Sequence, residues 1–219
     1  MAFVNATFPS AAATSPVTTA SVDMSTGGPA NLLLVAIQIV NASAQSGGSV
    51  TDSSGNTYVP LDDWKKVGSF QFRVWMAINP VVTTTMTATV TWAGPGNSAF
   101  VSFTGFSGRS LNPIGKVSMT AQSGSTSLAM SAFAPTVSGS DYIAYLDMAN
   151  SRLITSTGGW TRSDGNILNC HFQRQDNVSA TVQDTCTVGT TSGSSEDYMI
   201  ELLPAGYVGG SVGINWDSR

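Results

Sequence analysis

The sequence predicts an all-β protein: a single jelly-roll-like β-sandwich of ten to twelve strands built from a duplicated unit, with two tandem immunoglobulin-like domains as the alternative. Three observations lead there. First, the run Leu32–Val40, almost wholly apolar, lies between Gly27-Gly28-Pro29 and a polar stretch that begins at Asn41. It is far shorter than the roughly 20 apolar residues of a membrane span. Its branched residues and its Gly and Pro boundaries make it a strand buried on both faces. Second, the same signal returns at Tyr142–Met148, after Gly139-Ser140-Asp141, and the segments after each copy are similar. Third, no stretch keeps a helical period. Ser195–Leu203, the one candidate, alternates through Tyr198, Ile200 and Leu202 and reads as strand.

Taken in order, residues 1–16 are rich in Ala, Ser and Thr, carry Pro9 and Pro16, and read as an extended N-terminal arm. Val17–Met24 is a first strand, and Leu32–Val40 comes next. Asp52-Ser53-Ser54-Gly55-Asn56 then supplies turn chemistry between alternating flanks, because Asp and Asn bond to nearby backbone and Gly accepts positive φ. Asp52, Asn56, Asp62 and Asp63 also offer oxygens to calcium, but their spacing does not match an EF-hand loop. The reading is the turn of a hairpin, with calcium left open.

Phe70–Ile78 alternates, placing Phe70, Phe72, Val74, Met76 and Ile78 on one face and Gln71, Arg73, Trp75 and Ala77 on the other. Met86–Trp92 turns Met86, Ala88, Val90 and Trp92 inward and its threonines outward, where a branched side chain with a hydroxyl suits an exposed pleated face. Ala99–Phe106 closes the first half.

The second half repeats this order. Ser127–Phe133 answers the first strand, Tyr142–Met148 answers Leu32–Val40, and Leu168–Gln173 answers Phe70–Ile78. Ser179–Val182 answers Thr87–Val90, and Glu196–Leu203 answers Ala99–Phe106. The halves run from about 17 to 108 and from 115 to 205. The short connection Gly108–Lys116 favours one sandwich, since two uncovered sheets are best closed against each other. Residues 206–219 form a Gly-rich C-terminal arm, in which Trp216 is a candidate anchor into a partner.

Composition excludes several functions. Charged residues make up 10% of the chain, against about 25% in ordinary soluble domains. The net charge is −4 and the nine basic residues are scattered singly, so no basic stripe exists to neutralise phosphates. With 42% apolar residues the chain is not of disordered composition. Its N-terminus has neither the basic nor the apolar region of a signal peptide. A hydroxyl-rich, extracellular-looking body without an export signal fits a virion component. A fragment of a larger secreted protein is the alternative.

Cys170 and Cys186 are too few for a disulfide scaffold and lack metal-ligand spacing. They read as two buried thiols, with a cross-strand bridge as the alternative. His171 comes directly after Cys170, so the two point to opposite faces of a strand and make no catalytic pair. Gly209-Gly-Ser211-Val-Gly213 formally matches a hydrolase elbow, yet no histidine lies beyond it.

The acids Asp141, Asp147, Asp164, Asp184, Glu196, Asp197 and Glu201 fall mostly in turns or on outward phases. Asp184 is the exception, sharing the inward phase of Val182. No catalytic, cofactor or metal residue is assigned. The sequons Asn5-Ala-Thr, Asn41-Ala-Ser and Asn177-Val-Ser carry no weight without a signal peptide. The binding signal is aromatic: Trp75 and Phe100 on outward phases, Trp64 and Trp160 in loops, able to contact a partner protein or a surface glycan.

The succession of apolar strand, Asp-Ser-Ser-Gly-Asn-Thr-Tyr-Val, Phe-Arg-Val-Trp-Met-Ala-Ile-Asn, Thr-Ala-Thr-Val-Thr-Trp and Ala-Phe-Val-Ser-Phe-Thr-Gly-Phe resembles β-sandwich modules of bacteriophage structural proteins and bacterial surface proteins. The similarity spans Ala30 to about Gly108 and, more faintly, Asp141 to Leu203. It implies a sandwich used for decoration or attachment and transfers no catalytic residue. The expectation is therefore a non-enzymatic virion structural protein. It would be a capsid decoration (cement) protein on the virion surface, homo-oligomeric and bound to the major capsid protein or to neighbouring copies, with no nucleic acid and no membrane. A carbohydrate-binding or adhesin module of a tail fibre or bacterial cell surface is the alternative.

Overall fold

The computed structural model describes residues 2–7, 14–40, 45–67, 70–94, 98–122, 125–148, 154–162, 170–188 and 195–208. Among them every helix or strand element is a strand, and every strand pairing is antiparallel. The chain is all-β, as its period-2 patterning requires. It divides into two compact units, Met1–Gly108 and Arg109–Arg219.

The first unit contains β1 (Ala2–Thr7), β2 (Val17–Thr18), β3 (Leu32–Val40), β4 (Ser46–Asp52), β5 (Val59–Pro60), β6 (Lys65–Val67), β7 (Phe70–Ile78), β8 (Ala88–Ala93) and β9 (Ser98–Ser107). One sheet runs β1-β9-β3-β7-β5, with β6 also on β7; the other runs β2-β8-β4. Leu33, Val35, Ile37, Ile39, Trp75, Ala99, Val101 and Phe103 of the large sheet meet Val17, Val50, Ala88, Val90 and Trp92 of the small one, and Met86 just before β8, in a single apolar core. That is a sandwich. β3 lies at its centre, paired along its whole length with β7 on one side and β9 on the other, and every residue from Leu32 to Ile39 is buried.

Threonines face outward on β8, as the alternation predicts. Thr89 Oγ1 and Thr18 Oγ1 lie 2.8 Å apart, and Thr91 Oγ1 and Ser49 Oγ lie 2.7 Å apart, so hydroxyls pair across the strands.

The second unit contains β10 (Arg109–Gln122), β11 (Ser127–Phe133), β12 (Ser140–Met148), β13 (Ile154–Ser156), β14 (Thr161–Arg162), β15 (Cys170–Val178), β16 (Val182–Val188) and β17 (Ser195–Pro204). Its sheets run β10-β17-β12-β15-β14 and β11-β16-β13. Apart from β6, the pairing order among these strands matches that of the first unit, with β12 in the place of β3. Leu128, Met130, Tyr142, Ala144, Leu146, Trp160, Val182, Cys186, Val188 and Met199 form its core.

Several segments differ from the sequence reading. Val17–Met24, read as a first strand, is a strand only at Val17–Thr18, with an isolated bridge from Val22 to Met86. Ala2–Thr7, read as part of an arm, is an edge strand on β9, with Phe3 packed edge-on to Phe106 at 5.9 Å. Arg109–Gln122, read in part as a connection, is the longest strand among the described residues. Pro113 and Gly115 hid it: the ladder with β17 shifts register on both sides of Ile114, and such irregularities absorb residues a regular strand excludes. The strand total exceeds ten to twelve because Ala2–Thr7, Arg109–Gln122 and several two- or three-residue strands add to it.

Ile37 is fully buried between both neighbours of β3. Ile37→Ala is expected to lower the free energy of unfolding by about 2–5 kcal/mol through lost burial and a residual cavity. Urea denaturation of the two proteins side by side measures it.

Candidate functional site

Chemically reactive side chains concentrate inside the second unit. β16 alternates with Val182, Asp184, Cys186 and Val188 inward, so the one acid the sequence placed on an inward phase does point into the core. It faces Asp197 of β17, which is also fully buried, so the two carboxyls act on each other electrostatically.

Asp197 is further fixed by three donors. Thr120 N–H donates to Oδ1 at 2.9 Å, Ser131 Oγ–H to Oδ1 at 2.9 Å, and Ser131 N–H to Oδ2 at 3.2 Å. Ser131 can reach because β11 slips register against β16 between Ala129 and Ala132, which lets Met130 and Ser131 both turn inward. Gln173 Nε2 of β15 donates to Asp184 Oδ1.

Burial and then the negative charge of Asp197 lift Asp184 well above the ordinary carboxyl range. Burial pushes Asp197 up to about 6, with Ser131 and Thr120 among the donors pulling it back. Burial, then Asp184 and Asp197, push the Cys186 thiol up to about 12. It is a free, buried and unreactive cysteine.

Two further acids are buried nearby in sequence. Asp141 forms a buried ion pair with Arg109 and accepts the Asn177 N–H at 2.6 Å. Asn177 has φ 55° where the ladder of β12 and β15 shifts register, a conformation Asn tolerates better than most residues. Glu201 ties down the loop between β11 and β12. It accepts Thr136 N–H at 2.6 Å and Ser140 Oγ–H at 2.7 Å on Oε1, and Thr136 Oγ1–H at 2.7 Å on Oε2. A Cβ at Gly115 would fall 2.7 Å from the Glu201 carboxyl carbon, so that position admits only glycine without displacing the acid.

The sequence had set Asp141, Asp197 and Glu201 in turns or on outward phases; they are at most 2% exposed. The misreading came from taking Tyr198, Ile200 and Leu202 as the single inward face of β17. Met199 on the opposite phase is equally buried, and apolar residues on both phases were the available signal. The side chains of Asp147, Asp164 and Glu196 lie outside the described residues.

The aromatic candidates are also corrected. Trp75 is 2% exposed, Phe100 8% and Trp160 6%. Period-2 alternation separates two faces but does not say that one of them meets water, and on β7 and β9 both faces are buried. Trp160 belongs to the core and donates its Nε1–H to Gln183 O at 2.8 Å. Trp64, half-buried, packs edge-on to Trp75 with centroids 6.2 Å apart, and the Arg73 guanidinium lies 5.9 Å and 5.2 Å from the two ring centroids.

Gly47 O accepts both Trp64 Nε1–H, at 2.8 Å, and Arg73 Nη1–H. Gly48, at φ 106°, must be glycine to pass 3.2 Å from Thr91 O and 3.1 Å from the Trp75 ring, distances measured from where a Cβ would sit. The cation is held by two rings and two carbonyls, including Asp62 O at 3.2 Å. This arrangement braces β7 against the 45–48 turn and presents no flat aromatic platform. Trp216, and the side chains of Cys170 and His171, lie outside the described residues.

The Asp52 turn is formed, but its flanks make no hairpin: β4 pairs with β8 and β5 with β7, in different sheets. Asp52 Oδ1 accepts Ser54 N–H at 2.9 Å and Asn56 N–H at 3.0 Å, while Oδ2 accepts Asn56 Nδ2–H and Tyr58 Oη–H, both at 2.8 Å. Its oxygens are thus engaged by protein donors. Burial and then Asp52 raise the Tyr58 hydroxyl well above its ordinary value, which keeps it a donor.

The buried acids therefore join strands, loops and sheets. They are closed to solvent, so they offer a substrate no approach in this conformation. Comparison with family models, with curated proteins and with solved structures finds no match to this chain.

Asp141→Ala removes the charged partner of a buried guanidinium and is expected to cost about 3–5 kcal/mol of stability. Thermal unfolding monitored by circular dichroism measures the loss. A second expectation concerns the turn: Asp52→Ala frees Tyr58, so the phenol titrates at lower pH than in the parent, measured by ultraviolet difference absorbance.

Proposed function

We propose that this chain is a non-catalytic structural protein of a virion, a decoration (cement) protein that binds the outside of a phage capsid. The observation that carries this reading is the outer face of the β2-β8-β4 sheet. There the exposed hydroxyls of Thr18, Thr89, Ser49 and Thr91 pair with one another across the strands. Hydroxyls already satisfied within the protein need little from water, so covering such a face with a shell protein costs little desolvation. A chain with 10% charged residues has few charges elsewhere to strip of water. Closure of the buried acids agrees with a role in which their work is structural. The sheet edges and the residues beyond Val208 supply further means of contact, since an extended segment can add to an open edge.

The adhesin alternative rested on exposed aromatic platforms, and the burial of Trp75, Phe100 and Trp160 removes its main support.

Quantitative mass spectrometry of purified particles tests the reading. The expected result is a copy number near-stoichiometric with the major capsid protein. Absence from particles, with the protein on cells or in the medium, overturns it. Thr89→Lys with Thr91→Glu places charges on the hydroxyl face and is expected to abolish particle binding while the fold persists. Removal of residues 209–219 leaves the Tyr207 contacts to Pro204 and Ser110 in place, and is expected to weaken binding without unfolding the protein.

A further inference from the structure

Around the paired acids of the second unit the donors are one too few. Asp197 accepts from Thr120 and twice from Ser131. Asp184 accepts from Gln173 on Oδ1, while its Oδ2 is buried with no donor directed at it. The group Asp184 meets is Asp197, another acceptor. Two carboxylates in contact, both removed from water, repel and lack a hydrogen between them; one proton cures both defects.

We propose that the second unit folds around one retained proton, carried on Asp184 and donated to the Asp197 carboxylate, and that losing it loosens β16 from β17, making this unit sensitive to alkaline pH.

Among the described residues the surroundings supply no substitute charge. β10 presents Thr120 to the pair, β11 Ser131, β15 Gln173 and β16 Cys186. Further along β17, Glu201 is engaged by Thr136 and Ser140 and faces Tyr142 of β12. The guanidiniums of Arg109 and Arg174 act on Asp141. Lys116 donates to Ala134 O at 2.7 Å. The side chains of His171 and Glu196 lie outside the described residues, so the test includes one of them.

Linkage sets the sign. In the unfolded chain both acids lose their protons near the ordinary aspartate value of about 3.9. In the native state both hold them to higher pH, Asp197 to about 6 and Asp184 beyond the ordinary range. Between the unfolded and native values the native state binds more protons. The stabilisation is therefore complete below the unfolded value and is lost as pH rises through the native ones. An opening that releases one proton becomes about tenfold more favourable per pH unit in that window.

Hydrogen exchange of the full chain, read on peptides covering 182–188 and 195–204 and corrected for the intrinsic pH dependence of exchange, measures this. Protection of these peptides should fall about tenfold per pH unit per proton released above the unfolded value. Asp184→Asn replaces the shared proton with a permanent N–H donor to Asp197, so the slope above about pH 6, where Asp197 is already ionised, should vanish while protection persists. His171→Gln should leave the slope unchanged.

Infrared spectroscopy of the wild type provides a reading that needs no variant: a protonated carboxylic acid carbonyl band should persist at neutral pH. Wild-type protection independent of pH, a slope above about pH 6 that survives Asp184→Asn or disappears in His171→Gln, or absence of the band would each overturn the proposal.

Discussion

A strand buried on both faces cannot leave either of its edges unpaired, because an amide or carbonyl group without water must find a partner in the protein. β3 meets this demand through β7 and β9, and β12 meets it through β15 and β17. Much of the architecture stems from that requirement. A central strand fixes two neighbours, and each neighbour turns an apolar face toward a smaller sheet. The connecting loops then have only to carry the chain between layers. One register slip along β3 would exchange the residues of its two faces; the nine-residue pairing on either side resists such a slip.

What was legible in the sequence was what has a period. Leu32–Val40, Phe70–Ile78, Ala88–Ala93 and Ser195–Pro204 announced themselves by length and alternation, and their order in one half foretold their order in the other. Ala2–Thr7 and Arg109–Gln122 did not, because edge strands with Pro, Gly and register shifts carry no clean period. Faces were harder than strands. Alternation assigns Trp75 and Phe100 to particular sides, but whether a side meets solvent depends on what covers it, which is a tertiary fact. Asp184 shows the converse: an acid on an inward phase was a local contradiction, and it marked the polar centre of the second unit.

The two units solve the same strand order with different interiors. The core of the first is apolar, with buried amides such as Gln71, which accepts the Gln45 N–H at 2.8 Å. The second buries Asp141, Asp184, Asp197 and Glu201 together with Arg109. Charges in a low-dielectric interior seldom add net stability, but removing one partner is costly, so such groups persist only as completed networks. Completion here depends on irregularities. The slip in β11 delivers Ser131, the shift between β12 and β15 delivers the Asn177 N–H, and the missing side chain at Gly115 leaves room for Glu201.

Cys186 lies on the same inward row as Asp184, free, fully buried and with its thiol held far from ionisation. A thiol-modifying reagent needs both access and thiolate, and the native state withholds both. Alkylation of this sulfur consequently waits for the second unit to open. Its rate is an intrinsic clock of that opening, readable from the mass of one peptide without any introduced label.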